Sequence, residues 1–390
     1  MMPNGAAEME WGPRAQLAWD SIALKRTRGV PARGMNVMDI PLLEDMTGHE
    51  PGDYARDPEG VYLAFQKRAG ACAIDQFIPR NPLTMGQDGF QAGADRGATT
   101  GAESVILDGL EIDSPEAVVE HMEEVLFPRR RRQIEEFEPD DPGRIENLIS
   151  SEREVQRLFG PNLLKGPYSG GFQDFPHFHY TTYGYQNYFM AYALYPEVME
   201  RDFAQQADLA RLRNRAAARA ITEGGLPPVV RLDHDMADSR GTLVDVRSLD
   251  RIWFPHFARA VAPFLAAGVR LLWHCDGNLM EMVPRLIEAG VGGFQGFQYE
   301  AGMDYPRICR MTDRDGGPLL IYAGVSVTRT LPFGTPSDVR DELRWLVENG
   351  PPVGLFLGVS SSVTPGTPHA NIRALIEGLH HYREHGRTTP

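Results

Sequence analysis

The sequence predicts an α/β protein, and more closely a (β/α)₈ TIM barrel that follows an N-terminal helical extension. From residue 160 onward, short apolar runs alternate with amphipathic helical stretches. Within the apolar runs, polar residues do not alternate with apolar ones, which is typical of strands buried on both faces. The connections between the two kinds of segment are short, and this favours parallel strands.

The first part of the chain has a helical pattern. Arg14 to Arg28 shows helical periodicity. A second helix is predicted over Pro58 to Ala71, because Asp57 is a suitable N-cap ahead of a proline at the first helical position. We therefore expect residues 1–70 to form a helical extension and residues 71–390 to form the barrel, all within one domain.

The remaining elements follow in order along the chain. The strand candidates are Ala71 to Ile78, Ser104 to Ile112, Asn162 to Gly166, Pro228 to Leu232, Arg270 to Trp273, Gly293 to Phe297, Leu319 to Tyr322 and Val353 to Leu357. The helices between them include Tyr192 to Gly224, Leu249 to Gly268, Leu279 to Gly290, Pro336 to Asn349 and Asn371 to Glu384. The stretch 86–101 is rich in Gly, Ala, Asp and Thr and has no period, which predicts a loop that could serve as a lid. A doubly wound open sheet would give the same local pattern as a barrel, so that fold stays open as an alternative.

The composition narrows the class of protein. With 53 acidic and 39 basic residues the formal charge is −14, which disfavours nucleic acid or an anionic membrane as the main partner. We find no uninterrupted apolar stretch of about 18 residues and therefore predict no membrane span. The three cysteines, Cys72, Cys275 and Cys309, include no close pair. Without a disulfide framework or a secretion signal, a cytoplasmic location is the simplest prediction.

Polar side chains collect after the predicted strands, where a barrel of this class keeps its active site. The candidates, in chain order, are Asp174, His177, His179, Tyr180, Asp235, His274, Asp276, Gln298, Glu300 and Ser361. We predict that Asp235, His274, Asp276 and Glu300 are the catalytic residues and the ligands of a divalent metal. The other six are predicted to contact the substrate.

The segment from His274 to Asn278 carries the strongest signal. It places a histidine, a cysteine and an aspartate before Gly277, which permits a tight turn. The alternatives stay open: His274 could be a core histidine bonded to a carbonyl, and Asp276 could cap the next helix. Asp233 and Asp235 share one side of an extended strand, where paired carboxylates suit acid–base chemistry, but they could equally form a turn.

Several motifs occur in an order that resembles the uroporphyrinogen decarboxylase (URO-D) superfamily. They are Leu272 to Asn278, Gln298 to Asp304, Ala323 to Ser326, Gly334 to Pro336 and Thr364 to Ile372. The resemblance covers nearly the whole chain and is strongest over 228–380. It implies a (β/α)₈ barrel and either decarboxylase activity or methyl transfer that involves corrinoid proteins or thiols.

The chain departs from both branches of that superfamily. The decarboxylases have an Arg-Gln-Ala-Gly-Arg-Tyr motif that grips substrate carboxylates, and no equivalent is present, so this is not a typical uroporphyrinogen decarboxylase. The methyltransferases bind zinc through a His-x-Cys pair and a distant cysteine. Here His274 matches the histidine, whereas Asp276 and Ser361 stand at the two cysteine positions. The resemblance therefore implies a more oxygen-rich site, with zinc or another divalent metal on His274, Asp276 and either Asp235 or Glu300.

Three functions remain open at this stage. The first is metal-assisted methyl transfer between a small methylated substrate and a corrinoid protein or thiol. The second is metal-free decarboxylation of a carboxylated aromatic or pyrrolic substrate, in which Arg80, Arg231 or Arg329 would grip the substrate and Asp235 or Asp276 would move a proton. The third is a ligand-binding barrel without catalysis. In each case the partner is a small molecule, and the chain could form a homodimer.

Overall fold

The computed structural model describes residues 10–84, 105–168 and 170–388. Its strands are β1 (Ala73–Ile74), β2 (Val105–Leu107), β3 (Leu110–Ile112), β4 (Leu164–Lys165), β5 (Val229–Asp233), β6 (Ala237–Asp238), β7 (Gly241–Thr242), β8 (Arg270–His274), β9 (Val291–Gln295), β10 (Leu320–Val325) and β11 (Leu355–Val359). The predicted lid over 86–101 lies outside the described residues.

Helices separate most of the strands. They are α1 (Pro13–Ile22), α2 (Ile40–Thr47), α3 (Asp53–Arg56), α4 (Pro58–Arg68), α5 (Pro115–His121), α6 (Phe127–Glu136), α7 (Pro142–Phe159), α8 (Tyr180–Tyr183), α9 (Tyr185–Leu194), α10 (Pro196–Gly224), α11 (Val246–Ile252), α12 (Phe254–Ala266), α13 (Val283–Glu288), α14 (Tyr305–Cys309), α15 (Thr330–Phe333), α16 (Pro336–Asn349) and α17 (His369–His385). As predicted, α4 begins after Asp57, whose side chain accepts a hydrogen bond from the Gly60 N–H. Among the residues that the structure describes, no helix has the length and apolar character needed to cross a membrane.

A five-stranded parallel sheet is the centre of the fold. Its strand order is β11-β10-β9-β8-β5, and every neighbouring pair is parallel. The strands β9, β10 and β11 are buried at every position. On one side, Leu320, Tyr322 and Phe356 pack in a cluster with residues of α1, β1, β4 and β5. The prediction of a mixed α/β fold with a parallel sheet is confirmed.

Shorter pairings continue from the edge of this sheet. Ala32 forms a parallel bridge with Leu357 of β11, and Arg33 forms one with Ala73 of β1. The strands β1 and β4 then pair in parallel. Within the described residues no pairing joins β4 to β5, so the strand pairings do not form a closed barrel. The closed (β/α)₈ barrel, and the division into extension and barrel, stay predictions.

Some sequence predictions about local structure were wrong; for example, the single helix predicted over Leu249 to Gly268 is divided at Trp253 into α11 and α12. The stretch up to Ile112 does not add a strand to the parallel sheet, since β2 and β3 form an antiparallel hairpin. Its turn is Asp108-Gly109, both with positive φ (50° and 87°), which is the backbone that a two-residue hairpin turn requires. The single helix predicted from Tyr192 is interrupted at Tyr195 (φ −127°, ψ 56°), because the residue before a proline disfavours helical backbone.

Candidate active site

A polar cavity of about 430 Å³ lies at the carboxyl ends of the parallel strands. We call it the strand-end cavity. It is lined by Arg33, Asn36, Gln76, Ile78, Asn81, Arg231, Asp233, His274, Asp276, Gln295, Val359, Ser361 and Ser362. Because carboxyl ends of parallel strands meet at one edge, residues distant in sequence come together there.

His274 occupies the centre of a row of paired residues. Asp233 of β5 pairs with His274 of β8, which pairs with Gln295 of β9, so the three side chains leave the sheet at one level. The His274 Nδ1 atom is 3.4 Å from the Gln295 carbonyl oxygen. Its Nε2 atom is 3.9 Å from Asp233 Oδ1, and the ring is 11% exposed. The imidazole therefore has a main-chain contact, as the core interpretation expected, but it also lines the cavity.

Asp276 lies beside His274 and contacts Ser361, which follows β11 on the opposite side of the strand-end cavity. Its Oδ2 atom accepts a hydrogen bond of 3.1 Å from the Ser361 hydroxyl. Its backbone N–H donates to Asp235 Oδ1 at 3.0 Å. Asp276 Oδ1 is buried and has no hydrogen-bond partner among the described residues. Removal from water and the like charge of Asp276 raise the pKa of the Asp235 carboxyl, although the Asp276 N–H bond opposes this.

Arg231 forms an ion-pair network beneath the cavity. Its Nε atom donates to Asp75 Oδ2 at 2.6 Å, and its Nη1 atom donates to Asp233 Oδ2 at 2.9 Å. The ring of Tyr168 lies 4.8 Å from the guanidinium carbon. Burial alone would raise the pKa of Asp75, but the charges of Arg231 and Arg33 outweigh it and hold that pKa below its usual value. Asp233 thus connects Arg231 to the imidazole of His274.

A second arginine, Arg33, lines the same cavity. Its Nη2 atom is 3.9 Å from Asp75 Oδ1. Neighbouring Asn36 donates from Nδ2 to the Ser362 hydroxyl at 2.7 Å. The sequence reasoning missed Arg33, Asn36 and Gln295 as site residues. A usable signal was present: Arg33 is the one charged residue of the stretch 30–38, and it requires a charged partner when that stretch is buried.

Three predicted substrate contacts lie elsewhere, against α10. Asp174 pairs with Arg213 at 3.2 Å. The His179 Nε2 atom is 3.4 Å from buried Asp202. The ring of His177 packs on Phe175 at 3.9 Å between ring centroids, and burial lowers the pKa of His177 to about 4. Their positions give no support to a role in substrate binding. They follow β4 in a long loop that turns back onto α10, so a strand-end position in sequence did not bring them to the cavity.

Tyr180 and Gln298 form hydrogen bonds to backbone atoms next to the strand-end cavity. The Tyr180 hydroxyl donates to the backbone oxygen of Asp235 at 3.2 Å. The Gln298 side-chain oxygen accepts from the Gly277 N–H at 2.9 Å, and Gly277 has a φ of 87°. A glycine suits this backbone, and the bond fixes the turn that carries Asp276. Neither residue lines the strand-end cavity.

Glu300 is bonded to hydroxyl groups rather than to the other predicted catalytic residues. Its Oε1 atom accepts from Ser326 at 2.7 Å and also from Thr328. Ser326 in turn donates its N–H to Glu342, whose pKa burial raises to about 7. No group of three or more His, Cys, Asp or Glu side chains in the described chain could hold a metal ion. The four predicted metal ligands are therefore not brought together.

A solved methyltransferase from Methanosarcina mazei has a similar fold. The identity is 14%, the TM-score is 0.53, and the match covers 94% of this chain and 98% of the other. No protein-family model matches the chain. No curated protein matches it either. The likeness extends over the whole fold, and membership of the URO-D superfamily is not confirmed.

Proposed function

We propose that this protein is an enzyme that transfers a methyl group to or from a small molecule bound in the strand-end cavity. The observation that carries the proposal is the row of Asp233, His274 and Gln295 across three adjacent strands, with Asp276 beside it in one cavity. The shared fold with a solved methyltransferase supports the reaction class. Titratable side chains that converge on one cavity are what acid–base chemistry needs.

His274 is the proposed general acid of this reaction. The acceptor attacks the methyl carbon, the bond from that carbon to the leaving oxygen or nitrogen breaks, and the leaving atom keeps the electron pair. The His274 imidazolium donates its proton to that atom, and Asp233, at 3.9 Å, stabilises the charged ring. His274 then regains its proton from solvent. Solvent reaches the neighbouring Asp233, because the side chain of Asp233 is 30% exposed.

A corrinoid protein or a small thiol is the proposed methyl acceptor or donor. This part of the proposal comes from the resemblance to the URO-D superfamily, as does the closed barrel. The cavity lies at the strand ends, where the partner's reactive group would have to meet the substrate. We also propose that the protein forms a homodimer and is located in the cytoplasm.

A divalent metal such as zinc does not fit the present arrangement well. Of the four predicted ligands only His274 and Asp276 line the cavity, whereas Asp235 is bonded to a backbone N–H and Glu300 to two hydroxyls. Zinc sites ordinarily use at least three protein ligands. The proposed steps therefore use the protein's own side chains, and no step is assigned to a metal.

Decarboxylation is the second candidate, and one observation favours it. The two arginines of the strand-end cavity, Arg33 and Arg231, could grip a carboxylated substrate although the superfamily's arginine motif is missing. In that reaction the bond to the carboxyl carbon breaks, CO₂ leaves, and the electron pair left on the substrate carbon is protonated. Asp276 or Asp235 would deliver that proton.

One assay separates the two candidates. Purified protein is incubated with ¹³C-methyl ethers and ¹³C-methyl amines of small carboxylic acids, together with cob(I)alamin or a thiol. Transfer of label to the acceptor supports methyl transfer, and release of CO₂ without transfer supports decarboxylation. His274→Ala should lower the rate of transfer by about a hundredfold or more. Asp45→Asn, an exposed change in α2, should leave it unchanged. Full transfer activity in His274→Ala would contradict the role of the imidazole.

A further inference from the structure

The last two turns of α17 carry two histidines on one face of the helix. His381 and His385 are four positions apart, and side chains at that spacing are neighbours on a helix surface. Their ring centroids are 4.9 Å apart. The His381 side chain is half-buried and that of His385 is exposed, so solvent reaches both. We call these two residues the histidine pair.

The geometry of the two rings suits a shared metal ion. An imidazole at the ordinary zinc–nitrogen distance of about 2.0–2.1 Å has its ring centroid about 3.2 Å from the ion. Two such rings that meet at about 90–110°, as in octahedral and tetrahedral sites, have centroids about 4.5–5.2 Å apart. The observed 4.9 Å lies within this range. The ring planes are inclined by 44°, which is neither the stacked nor the edge-to-face arrangement that packed aromatic rings prefer.

A hydrogen bond on His381 leaves one of its ring nitrogens ready to bind a metal. Its Nε2 atom is 2.8 Å from the carbonyl oxygen of Thr388. Because a carbonyl oxygen can only accept, Nε2 carries the proton and Nδ1 keeps the lone pair. A histidine that binds a metal ordinarily donates its other ring N–H to a carbonyl or a carboxylate in this way. No described residue forms a hydrogen bond with the ring of His385, whose lone pair is therefore also free.

The end of α17 also favours a cation by its charge. The helix has 17 residues, and the partial negative charge of its carboxyl end stabilises positive charge within the last turn. Two arginines of this segment are engaged by other groups. Arg383 donates to the Glu384 carboxylate at 2.7 Å, and Arg387 donates to the carbonyl oxygen of Val347 in α16 at 2.8 Å. The charge of Arg383 is thus balanced, and Arg387 is held against another helix.

We propose that His381 and His385 bind a divalent transition-metal ion, with water completing its coordination. Imidazole nitrogen suits Cu²⁺, Ni²⁺ and Zn²⁺, whereas Mg²⁺ and Ca²⁺ prefer oxygen ligands. Two protein ligands are fewer than a permanently held zinc ion uses, so the ion exchanges with solvent. For the same ligands, Cu²⁺ is bound most tightly of the three.

The histidine pair lies at the opposite end of the fold from the strand-end cavity. Neighbouring Arg383 donates to the carbonyl oxygen of Gly70, which precedes β1, at 3.2 Å. The pair is therefore near the amino ends of the strands, whereas the strand-end cavity is at their carboxyl ends. The ion takes no part in the proposed methyl transfer. It joins the last two turns of α17, and because it binds the folded chain it stabilises that end of the helix.

Metal titration tests the proposal without any assay of turnover. The metal-free, full-length protein is titrated in a calorimeter with Cu²⁺, Ni²⁺, Zn²⁺ and Mg²⁺ in turn. We expect one saturable site that binds Cu²⁺ most tightly and no detectable binding of Mg²⁺. His385→Gln should weaken Ni²⁺ binding by about tenfold or more, since the loss of even an outer partner of a metal ligand costs about 10–100-fold. His385→Cys replaces one zinc ligand with another and should retain Zn²⁺ binding.

Two further histidine variants control the comparison. His369→Gln changes a histidine at the other end of α17, where it is 41% exposed, and should not change Ni²⁺ binding. His274→Ala should not change it either, because that residue lies in the strand-end cavity. If the natural chain binds no Ni²⁺ saturably, or if folded His385→Gln binds it like the natural chain, the proposal is overturned. Loss of binding in His274→Ala would place the ion in the strand-end cavity and would also overturn it.

Discussion

Ser361 donates a hydrogen bond of 3.1 Å to Asp276, although the two residues follow strands that are three places apart in the sheet. In a flat sheet, neighbouring strands lie about 4.8 Å apart, so these strand ends would be separated by about 14 Å. The contact therefore requires a strongly curved sheet. On the other side, Arg231 of β5 reaches Asp75, which follows β1, at 2.6 Å. Curvature of the sheet brings together the residues of the strand-end cavity.

Replacement of Ser361 tests whether this contact serves catalysis. Ser361→Ala leaves Asp276 without its hydroxyl donor, and we expect kcat/KM for methyl transfer to fall by about tenfold, the worth of one hydrogen bond to a charged group. Ser361→Thr keeps a hydroxyl and should retain most of the activity. Both are measured by steady-state kinetics with the methylated substrate. Equal kcat/KM values for wild type, Ser361→Ala and Ser361→Thr would show that the contact is only structural.

The sequence predicted the part of the site that depends on long, regular strands. His274 ends β8, Asp276 lies two residues beyond it, and Ser361 follows β11. The apolar runs of these two strands are easy to recognise, and all three residues line the cavity. Glu300 follows an equally regular strand but is bonded to Ser326. The order of polar residues along a chain does not reveal such a competing partner.

The other half of the site could not be predicted in the same way. Ala71 to Ile78 was predicted as a strand, but β1 has only two residues and Arg33 joins the sheet only through an isolated bridge, so no regular strand indicated that Arg33 and Asp75 belong to the site. Asp75 and Arg231 are far apart in sequence and meet only because the sheet curves. His177 was predicted to bind substrate because it follows a strand, but the aromatic packing that buries it depends on the path of a long loop.

Asp75 should be required for stability because it neutralises two buried arginines. We expect Asp75→Asn to lower the free energy of unfolding by about 3–5 kcal/mol at pH 7, since it leaves Arg231 and Arg33 with one carboxylate fewer. Urea unfolding measures the loss. Asp45→Asn is the matched control: Asp45 is 47% exposed and pairs with exposed Arg373, so it should cost less than about 1 kcal/mol.

The effect of Asp75 should also depend on pH. The pKa of Asp75 is lowered in the folded protein, so its contribution is complete above the ordinary aspartate value of about 4 and is lost as the pH falls towards the lowered value. The difference in unfolding free energy between wild type and Asp75→Asn should therefore narrow below pH 4. A constant difference from pH 7 to pH 3 would contradict the role of its charge.

His177 should make the fold less stable in mild acid. Its folded pKa of about 4 lies below the ordinary value of about 6.5, so between these values the unfolded chain binds more protons than the folded chain. The free energy of unfolding should fall by up to about 1.4 kcal/mol per pH unit from pH 6.5 downward, and show no such loss above it. His177→Gln should reduce this slope in urea titrations at pH 7.5, 6 and 5. An unchanged slope in the variant would show that His177 is not the titrating group.

The contact between Asp276 and Ser361 predicts that a thiolate zinc site can be built here. The resemblance to the URO-D superfamily implies that the two side chains stand where its methyltransferases have cysteines. Their oxygens are 3.1 Å apart in the cavity that His274 also lines. Sulfur atoms at these positions could reach one ion with zinc–sulfur distances of about 2.3 Å. We therefore expect Asp276→Cys/Ser361→Cys to retain about one zinc per chain after dialysis, as measured by atomic absorption, and more than the natural chain retains.

Two controls decide whether that zinc occupies the predicted site. Adding His274→Ala to the double variant should lower the retained zinc, because only two protein ligands would remain where about three are needed. Cobalt substitution should give sulfur-to-metal charge-transfer absorption in the double variant and not in the natural chain. If the double variant folds but binds no more zinc than the natural chain, the side chains at 274, 276 and 361 do not converge on one point. The shared placement on which the proposed active site depends would then be wrong.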